Sequence, residues 1–262
     1  MQLGDLEFLS TFKKVVNAKL DVFELKVDYP LFNPEDLDND FFLKFQDELS
    51  TTNLLLTIHG PYIGIDLAHP SEFISTAAMN RIVSSIEFAS LLNVEYILIH
   101  GGGINRDYLP WNKFVEKAEQ RYQKNLEIIL NKAEGMEVEV VLENTESSFN
   151  FPFVDTIEKL ENYLNLFPTV KGVIDFGHLN ITSDVQDTIK YLEKENFYDR
   201  IKGFHIHNND GKFDCHRSTN NGTIDYNYIN SELLSKLSRK ILICEMDTVE
   251  EAVEFKEIIE GE

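Results

Sequence analysis

The sequence predicts a single (β/α)8 barrel of the α/β class, and three observations predict it. Short apolar, β-rich runs alternate with longer segments of helical periodicity along the chain. The runs are nearly continuously apolar, as parallel strands covered on both faces must be. The length of 262 residues fits one barrel of about 250 residues. No low-complexity linker or break in composition divides the chain, so residues 1–262 are expected to form one domain.

The first strand is assigned to the short segment Met1–Gly4. The others are Asp21–Asp28, Asn53–His59, Val94–His100, Val138–Glu143, Val170–Asp175, Ile201–His207 and Lys240–Glu245. Helices are expected over Ser71–Leu92, Trp111–Glu134, Asp155–Leu166, Asp184–Glu195 and Val249–Ile259, where apolar residues recur three or four apart. Polar residues near the strand ends fall at 24, 59, 100, 143, 175, 205 and 245, in steps of 35, 41, 43, 32, 30 and 40, one βα unit each. An open doubly wound sheet has the same alternation and is the structural alternative.

Composition narrows the partners. Acidic residues number 45 against 24 basic, a formal net charge of −21, and such a surface repels nucleic-acid phosphates and anionic lipid. The two cysteines, Cys215 and Cys244, are too few for a disulfide framework, and no run of about 18 apolar residues is present. A reducing, cytoplasmic location without membrane association is expected, and the oligomeric state is open.

In a parallel barrel, functional groups collect where strands run into their following loops. Here those ends carry ligand-type residues repeatedly: His59 in LLLTIHGPY, His100 in YILIHGGG, Glu143 in EVVLENT, Asp175 and His178 in GVIDFGH, His205 and His207 in GFHIHNND, and Glu245 in LICEMD. His216 follows in FDCHRS. One strand-end histidine is usually a hydrogen-bonded polar residue, but six such ends in succession point to one shared site. Carboxylates converging there need a cation, and mixed imidazole and carboxylate donors suit zinc, manganese or iron better than calcium.

Local spacing adds detail. In Asp175-Phe-Gly-His178 the glycine is expected to permit a sharp turn that brings aspartate and histidine to one cation. Asp214-Cys-His216 has period-two spacing, which places Asp214 and His216 on one side and Cys215 on the other. Cys244 should likewise point away from the mouth. His205 and His207 project to the same side of a strand, with His205 taken as the deeper ligand and His207 as the rim residue. Gly101–Gly103 either cradle a substrate phosphate or merely permit the turn after His100.

These segments together resemble the xylose isomerase-like TIM barrels, which include endonuclease IV and D-tagatose 3-epimerase-type sugar epimerases. The resemblance is carried by HGPYIGIDLAHP, ILIHGGG, VVLENT, IDFGH, HIHNNDGKFDCH and LICE, and runs from about Glu24 to Glu245. The epimerase-like members imply one metal on Glu143, Asp175, His205 and Glu245, with Glu143 and Glu245 also catalytic as the acid/base pair beside a metal-polarised carbonyl. His178 then contacts substrate, as do His207 and Glu24, the last at a position that often helps line the sugar pocket.

Endonuclease IV implies instead three zinc ions on His59, His100, Glu143, Asp175, His178, His205, Asp214, His216 and Glu245, with Tyr62 where an aromatic enters DNA. Against the nuclease stand the net charge, the missing Gly-x-His-Val-Ser opening, the missing arginine-bearing loop after the second strand, and Asn220-Asn221-Gly222 in place of a Gly-x-Gly turn. Asparagine tolerates left-handed geometry, which would preserve that turn. The first expectation is therefore a divalent-metal-dependent sugar or sugar-phosphate isomerase or epimerase carrying one to three zinc or manganese ions. An apurinic-site endonuclease or phosphoesterase, with DNA as its partner, and a non-catalytic ligand-binding barrel are the alternatives.

Overall fold

The computed structural model describes residues 4–28, 33–34, 39–146, 150–195, 197–237 and 240–260. They group into two compact units, one drawn from residues up to Ile99 together with Tyr108–Val140, the other from His100–Asp107 and the residues from Val141 onward.

The first unit contains α1 (Gly4–Asn17), β1 (Val22–Lys26), α2 (Asn39–Ser50), β2 (Leu55–His59), α3 (Glu72–Ser90), the first three residues of β3 (Ile97–His100) and α4 (Asn112–Glu134). Its strands pair in parallel, with Lys26 opposite His59 and Ile58 opposite Ile97. The rungs continue past the strands: Gly60 N–H donates to the Leu98 carbonyl at 2.8 Å. Apolar side chains close the layers, Phe12 meeting Phe23 and Phe45 edge-on at 5.5 Å, a favoured aromatic geometry. From α4, the buried Asn125 amide donates to the Leu67 carbonyl at 2.7 Å, and Arg121 donates to the His69 carbonyl at the same distance. The loop after β2 is thereby held by side chains that satisfy its carbonyls.

The second unit contains β4 (Gly103–Asn105), most of β5 (Val140–Glu143), β6 (Asn150–Pro152), α5 (Ile157–Leu166), β7 (Lys171–Asp175), α6 (Phe176–Thr182), α7 (Val185–Glu195), β8 (Ile201–Ile206), α8 (Tyr226–Glu232), β9 (Ile241–Cys244) and α9 (Val249–Glu260). β5, β7, β8 and β9 pair in parallel in that order. The register sets Asp175 opposite His205, and His205 opposite Ile243, so polar strand ends arrive at one level. Val173, Ile174, Phe204 and Ile206 are fully buried beneath them.

Each run expected as a strand between Asp21 and Glu245 contains one, shortened by one to three residues at an end where the pairing stops. In the segment Met1–Gly4, Gly4 instead opens α1, and Met1–Leu3 lie outside the described residues. The antiparallel ribbon of β4 with β6 and the helix α6 directly after β7 are additions to the expected pattern. Among the described residues, no helix is long and apolar enough to cross a membrane.

Candidate metal centre

The parallel strands of the second unit deliver their terminal side chains to one place. Glu143 ends β5, Asp175 ends β7, His205 is the penultimate residue of β8, and Glu245 follows β9 with its N–H bonded to the Ile206 carbonyl at 3.0 Å. His205 Nδ1 stands 2.7 Å from Glu143 Oε1, 3.6 Å from Glu245 Oε1 and 3.9 Å from Asp175 Oδ2. Glu143, Asp175 and His205 have no exposed surface. His100, at the end of β3, approaches Glu143 Oε2 with Nε2 at 3.1 Å.

The other side of Asp175 is rich in imidazole. His207 Nε2 is 3.1 Å from Asp175 Oδ1 and 3.5 Å from Asp214 Oδ1. His178 Nε2 is 3.4 Å from Asp214 Oδ2, and His216 Nε2 is 3.0 Å from the same oxygen. Donor atoms of Asp175, His178 and His207 fall within 4.8 Å of one another, as do those of His207, Asp214 and His216, and of Glu143, Asp175 and His205.

Hydrogen bonds behind the site orient these rings. His178 Nδ1 donates to the Asn144 carbonyl at 2.9 Å and His216 Nδ1 donates to the Glu245 carbonyl at 2.8 Å. A carbonyl can only accept, so each Nδ1 carries the proton, and in the neutral ring the lone pair is on Nε2, turned toward Asp214. Asn144 also brackets the end of β7, accepting from Asp175 N–H at 2.9 Å and donating to the Asp175 carbonyl at 3.1 Å. Asn144 and Tyr226, whose hydroxyl donates to the His207 carbonyl at 2.6 Å, brace the candidate site and were not singled out from the sequence. The tripeptide Glu143-Asn144-Thr145 offered a signal for the first, since a buried amide after a strand-end carboxylate needs partners; Tyr226 offered none.

Asp175 has a second task as N-cap of α6, accepting from His178 N–H at 2.6 Å. The expected sharp turn at Gly177 is therefore the first turn of a helix, and helical spacing brings Asp175 and His178 together. Glycine is required there for space, because a Cβ on Gly177 would fall on the His207 ring. His207, expected at the rim, is fully buried, with its ring stacked on His216 at 4.1 Å and 8°. The strained backbone of the loop falls at His216, φ 43°, whereas neither Asn220 nor Asn221 takes a positive φ. Cys215 is exposed while its neighbours Asp214 and His216 turn inward. Burial pushes the Cys244 thiol up to about 12.

Electrostatics follow from this packing. Burial pushes the Glu143 carboxyl up, but the adjoining His205 and His100 outweigh it and hold it well below the usual carboxylate range. Asp175 is lowered in the same way by His178 and His207, and Asp214 by His178 and His216. Burial pushes His178 down, and Asp175 with Asp214 more than reverses it. Against the same opposition from burial, Asp214 and Glu245 raise His216 to about 9.

These residues fit a divalent cation. Three carboxylates, two fully buried, surround one imidazole nitrogen, and like charges about 4 Å apart repel by about 4 kcal/mol even at an effective dielectric constant near 20. A cation offsets that repulsion, and the mixed nitrogen and oxygen donors suit zinc or manganese.

The remaining expected residues belong to the first unit. His59 is buried at the end of β2, where its Nδ1 donates to the Gly60 carbonyl at 2.9 Å, the same backbone tether as on His178 and His216. Glu24, within β1, accepts from the Thr57 hydroxyl at 2.9 Å. Tyr62 is partly exposed, with Lys26 Nζ 4.7 Å from its ring centre. The chain itself uses the glycines after His100: Gly101 N–H donates to the Glu143 carbonyl at 3.1 Å, and the Gly102 carbonyl accepts from Phe153 N–H at 3.0 Å.

Comparison with known proteins agrees with this architecture. The profile of the xylose isomerase-like TIM barrel family matches residues 12–260. An uncharacterized protein of Methanocaldococcus jannaschii is 25% identical over 226 residues, 86% of this chain and 84% of that protein. The crystal structure of a D-tagatose 3-epimerase-like protein superposes with a TM-score of 0.80 at 21% identity, covering 97% of this chain and 92% of that one. That of an L-ribulose 3-epimerase gives 0.73 at 16% identity, covering 99% and 82%. These two likenesses are of fold. With the family profile spanning nearly the whole length, the chain belongs to the xylose isomerase-like TIM barrel family.

Proposed function

We propose that the protein is a divalent-metal-dependent isomerase or epimerase of a sugar or sugar phosphate. The observation that carries this reading is the gathering of Glu143, Asp175 and Glu245 around His205 Nδ1 at the ends of neighbouring parallel strands. Glu143, Asp175, His205 and Glu245 would hold the cation, and their mixed nitrogen and oxygen donors suit zinc or manganese. When bound, the cation polarises a substrate carbonyl or hydroxyl oxygen and lowers the cost of removing a proton from the adjacent carbon.

The protein's own part is proton transfer and water exclusion. In epimerisation one of Glu143 and Glu245 takes a proton from carbon as a carboxylate and the other, entering protonated, returns one to the opposite face; in isomerisation a carboxylate passes a proton between neighbouring carbons while a second proton passes between the two oxygens. Glu143 is fully buried and Glu245 partly exposed, so the two carboxylates differ in access to solvent. His178 and the backbone-tethered His216 keep Nε2 turned inward, where a hydroxyl-rich substrate finds either a donor or an acceptor. Similarity in fold to proteins described as D-tagatose 3-epimerase-like and L-ribulose 3-epimerase supports a sugar substrate.

A second reading, a multinuclear phosphoesterase, is favoured by one observation, the imidazole-rich cluster around Asp214 on the other side of Asp175. The net charge of −21 opposes a duplex DNA substrate. The test is incubation of metal-loaded protein with ketoses, ketose phosphates and inosose-like polyols in deuterated water, and separately with duplex DNA bearing an abasic site. Deuterium incorporation beside a carbonyl supports the isomerase. Strand cleavage without exchange into any sugar overturns it in favour of the phosphoesterase.

A further inference from the structure

We infer that the cavity between the α6–α7 junction, Gly211 and the segment 223–229 is a second binding site, for a neutral polyhydroxy compound such as a sugar alcohol, and that an occupant braces the loop 208–217. The cavity measures about 550 Å³, within the range of about 300–1,000 Å³ typical of small-molecule sites. It is separate from the candidate metal centre, none of whose residues lines it. The site needs no cation on His205, so it stands or falls apart from the isomerase reading.

Its frame is held by amides. Asn209 is fully buried; its Nδ2 donates to the Gly177 carbonyl at 2.9 Å, and its Oδ1 accepts from Gly211 N–H at 2.9 Å and from Asn180 Nδ2 at 2.7 Å. Asn180 Nδ2 also donates to the Thr223 hydroxyl at 2.8 Å, which ties the two sides of the cavity together. Several lining groups are left with no hydrogen bond among the described residues: Asn180 Oδ1, the Gln186 side-chain amide, the Tyr228 hydroxyl, and Oδ2 of Asp184 and of Asp225. Val185, Ile224 and Ile229 supply the apolar wall. A few convergent polar groups over an apolar wall are what a small ligand needs, and a preformed frame lowers the cost of ordering it.

Charge and donor balance decide the class of ligand. Two carboxylates line the cavity and no lysine or arginine does, so a phosphate or carboxylate group is repelled. Helix N-termini often hold anions, but the two that open here are already capped by carboxylates. Asp184 Oδ1 accepts from Gln186 and Asp187 N–H at 2.7 and 3.2 Å, and Asp225 Oδ1 accepts from Tyr228 N–H at 3.0 Å. The unmatched groups are mostly acceptors, which suits hydroxyls, since each donates as well as accepts. Tyr228 adds an aromatic surface for the carbon-bound hydrogens of the ligand. An occupant bonded to Asn180 and Asp225 adds a link between α6 and the residues that follow the loop 208–217, on which Asp214 and His216 stand.

Calorimetric titration of the protein as purified with xylitol and sorbitol, which have no carbonyl to isomerise, tests this, with amide hydrogen exchange of the loop 208–217 read at saturation. Sorbitol 6-phosphate and the amine glucamine serve as charged counterparts. Saturable millimolar binding of the neutral probes is expected, unchanged in His205→Gln and accompanied by slower exchange across 208–217. Gln186→Ala should weaken it about two- to ten-fold, the range for one lost hydrogen bond, and Tyr228→Ala, which loses ring and hydroxyl, should weaken it more. Neither side chain caps a helix, so both variants are expected to fold. No saturable binding of either neutral probe up to about 0.1 M overturns the site. Binding lost in His205→Gln but kept in the Gln186 and Tyr228 variants also overturns it, since the probe then sits at the metal centre. Tighter binding of glucamine or of sorbitol 6-phosphate, with loss in the cavity variants, overturns the neutral class of ligand. Binding without slower exchange across 208–217 overturns the bracing of the loop.

Discussion

The two sides of Asp175 are built from the same residue types in opposite proportion. Toward β5 and β9, three carboxylates face the single imidazole nitrogen of His205; toward α6 and the loop 208–217, three imidazoles face Asp214. Protons can compensate the second arrangement, since His178 and His216 are both raised above the ordinary imidazole range by their carboxylate partners despite burial. They compensate the first less well, because burial excludes water from Glu143 and Asp175 while three carboxylates share His205, with His100 reaching only Glu143. The carboxylate side is thus where the proposed cation would do most for charge balance, and the imidazole side has a proton-loaded state to fall back on.

The largest effect expected from this contrast is on turnover. Glu245→Gln and Glu143→Gln should each reduce kcat by about 10²- to 10⁴-fold, the range for loss of a positioned general acid or base, with cation content measured alongside. If activity falls only in parallel with lost metal, the carboxylates are holders of metal alone and the phosphoesterase reading gains.

Next in size is the dependence of folding on the cation. Stripping metal with a chelator should lower Tm, and zinc or manganese at about 100 times its Kd should restore about 2.7 kcal/mol by mass action. His205→Gln should abolish most of that recovery, whereas His216→Gln should leave the larger part of it. Equal losses in the two variants would erase the contrast between the sides.

pH separates them further. His216 is raised to about 9, above an unfolded value of about 6.5, so its pairing with Asp214 stabilises the metal-free protein fully below pH 6.5 and ceases to do so as pH rises through about 9. Denaturant melts of the metal-free protein at fixed ionic strength should therefore show stability falling between those values, and His216→Gln should flatten the fall. An identical fall in the variant would show that the pairing with Asp214 is not its source.

The smallest effect expected is from Gly177→Ala. The added methyl would occupy the His207 ring, and the overpacking should cost about 1–3 kcal/mol in a denaturant melt. A neutral result would mean that His207 moves freely, which is at odds with its burial between Asp175, Asp214 and the His216 ring.

Much of the fold was legible because buried parallel strands leave continuous apolar runs, as in VVLE at β5 and ILIC at β9, each flanked by helical periodicity. The strand ends that form the candidate site were legible because Glu143, Asp175, His205 and Glu245 are polar residues at or beside the places where apolar runs stop. The helix α6 was not, since Asp-Phe-Gly-His reads as a turn until Asp175 is seen to cap it. The ribbon of β4 and β6 joins segments too short to pattern, and its pairing of Ile104 with Phe151 spans nearly fifty residues. The depth of His207 depends on the missing Cβ of Gly177, a contact between residues thirty apart that no local period encodes. The same holds for the bonds from Asn144 to both backbone groups of Asp175.

The proposed function requires a divalent cation on Glu143, Asp175, His205 and Glu245. Elemental analysis of protein purified without chelator, repeated on His205→Gln, tests it most directly. About one equivalent or more of zinc, manganese or iron in the wild type, reduced by about one equivalent in the variant, is the expected result. Less than about half an equivalent in the wild type, with no uptake when zinc or manganese is added, would contradict it.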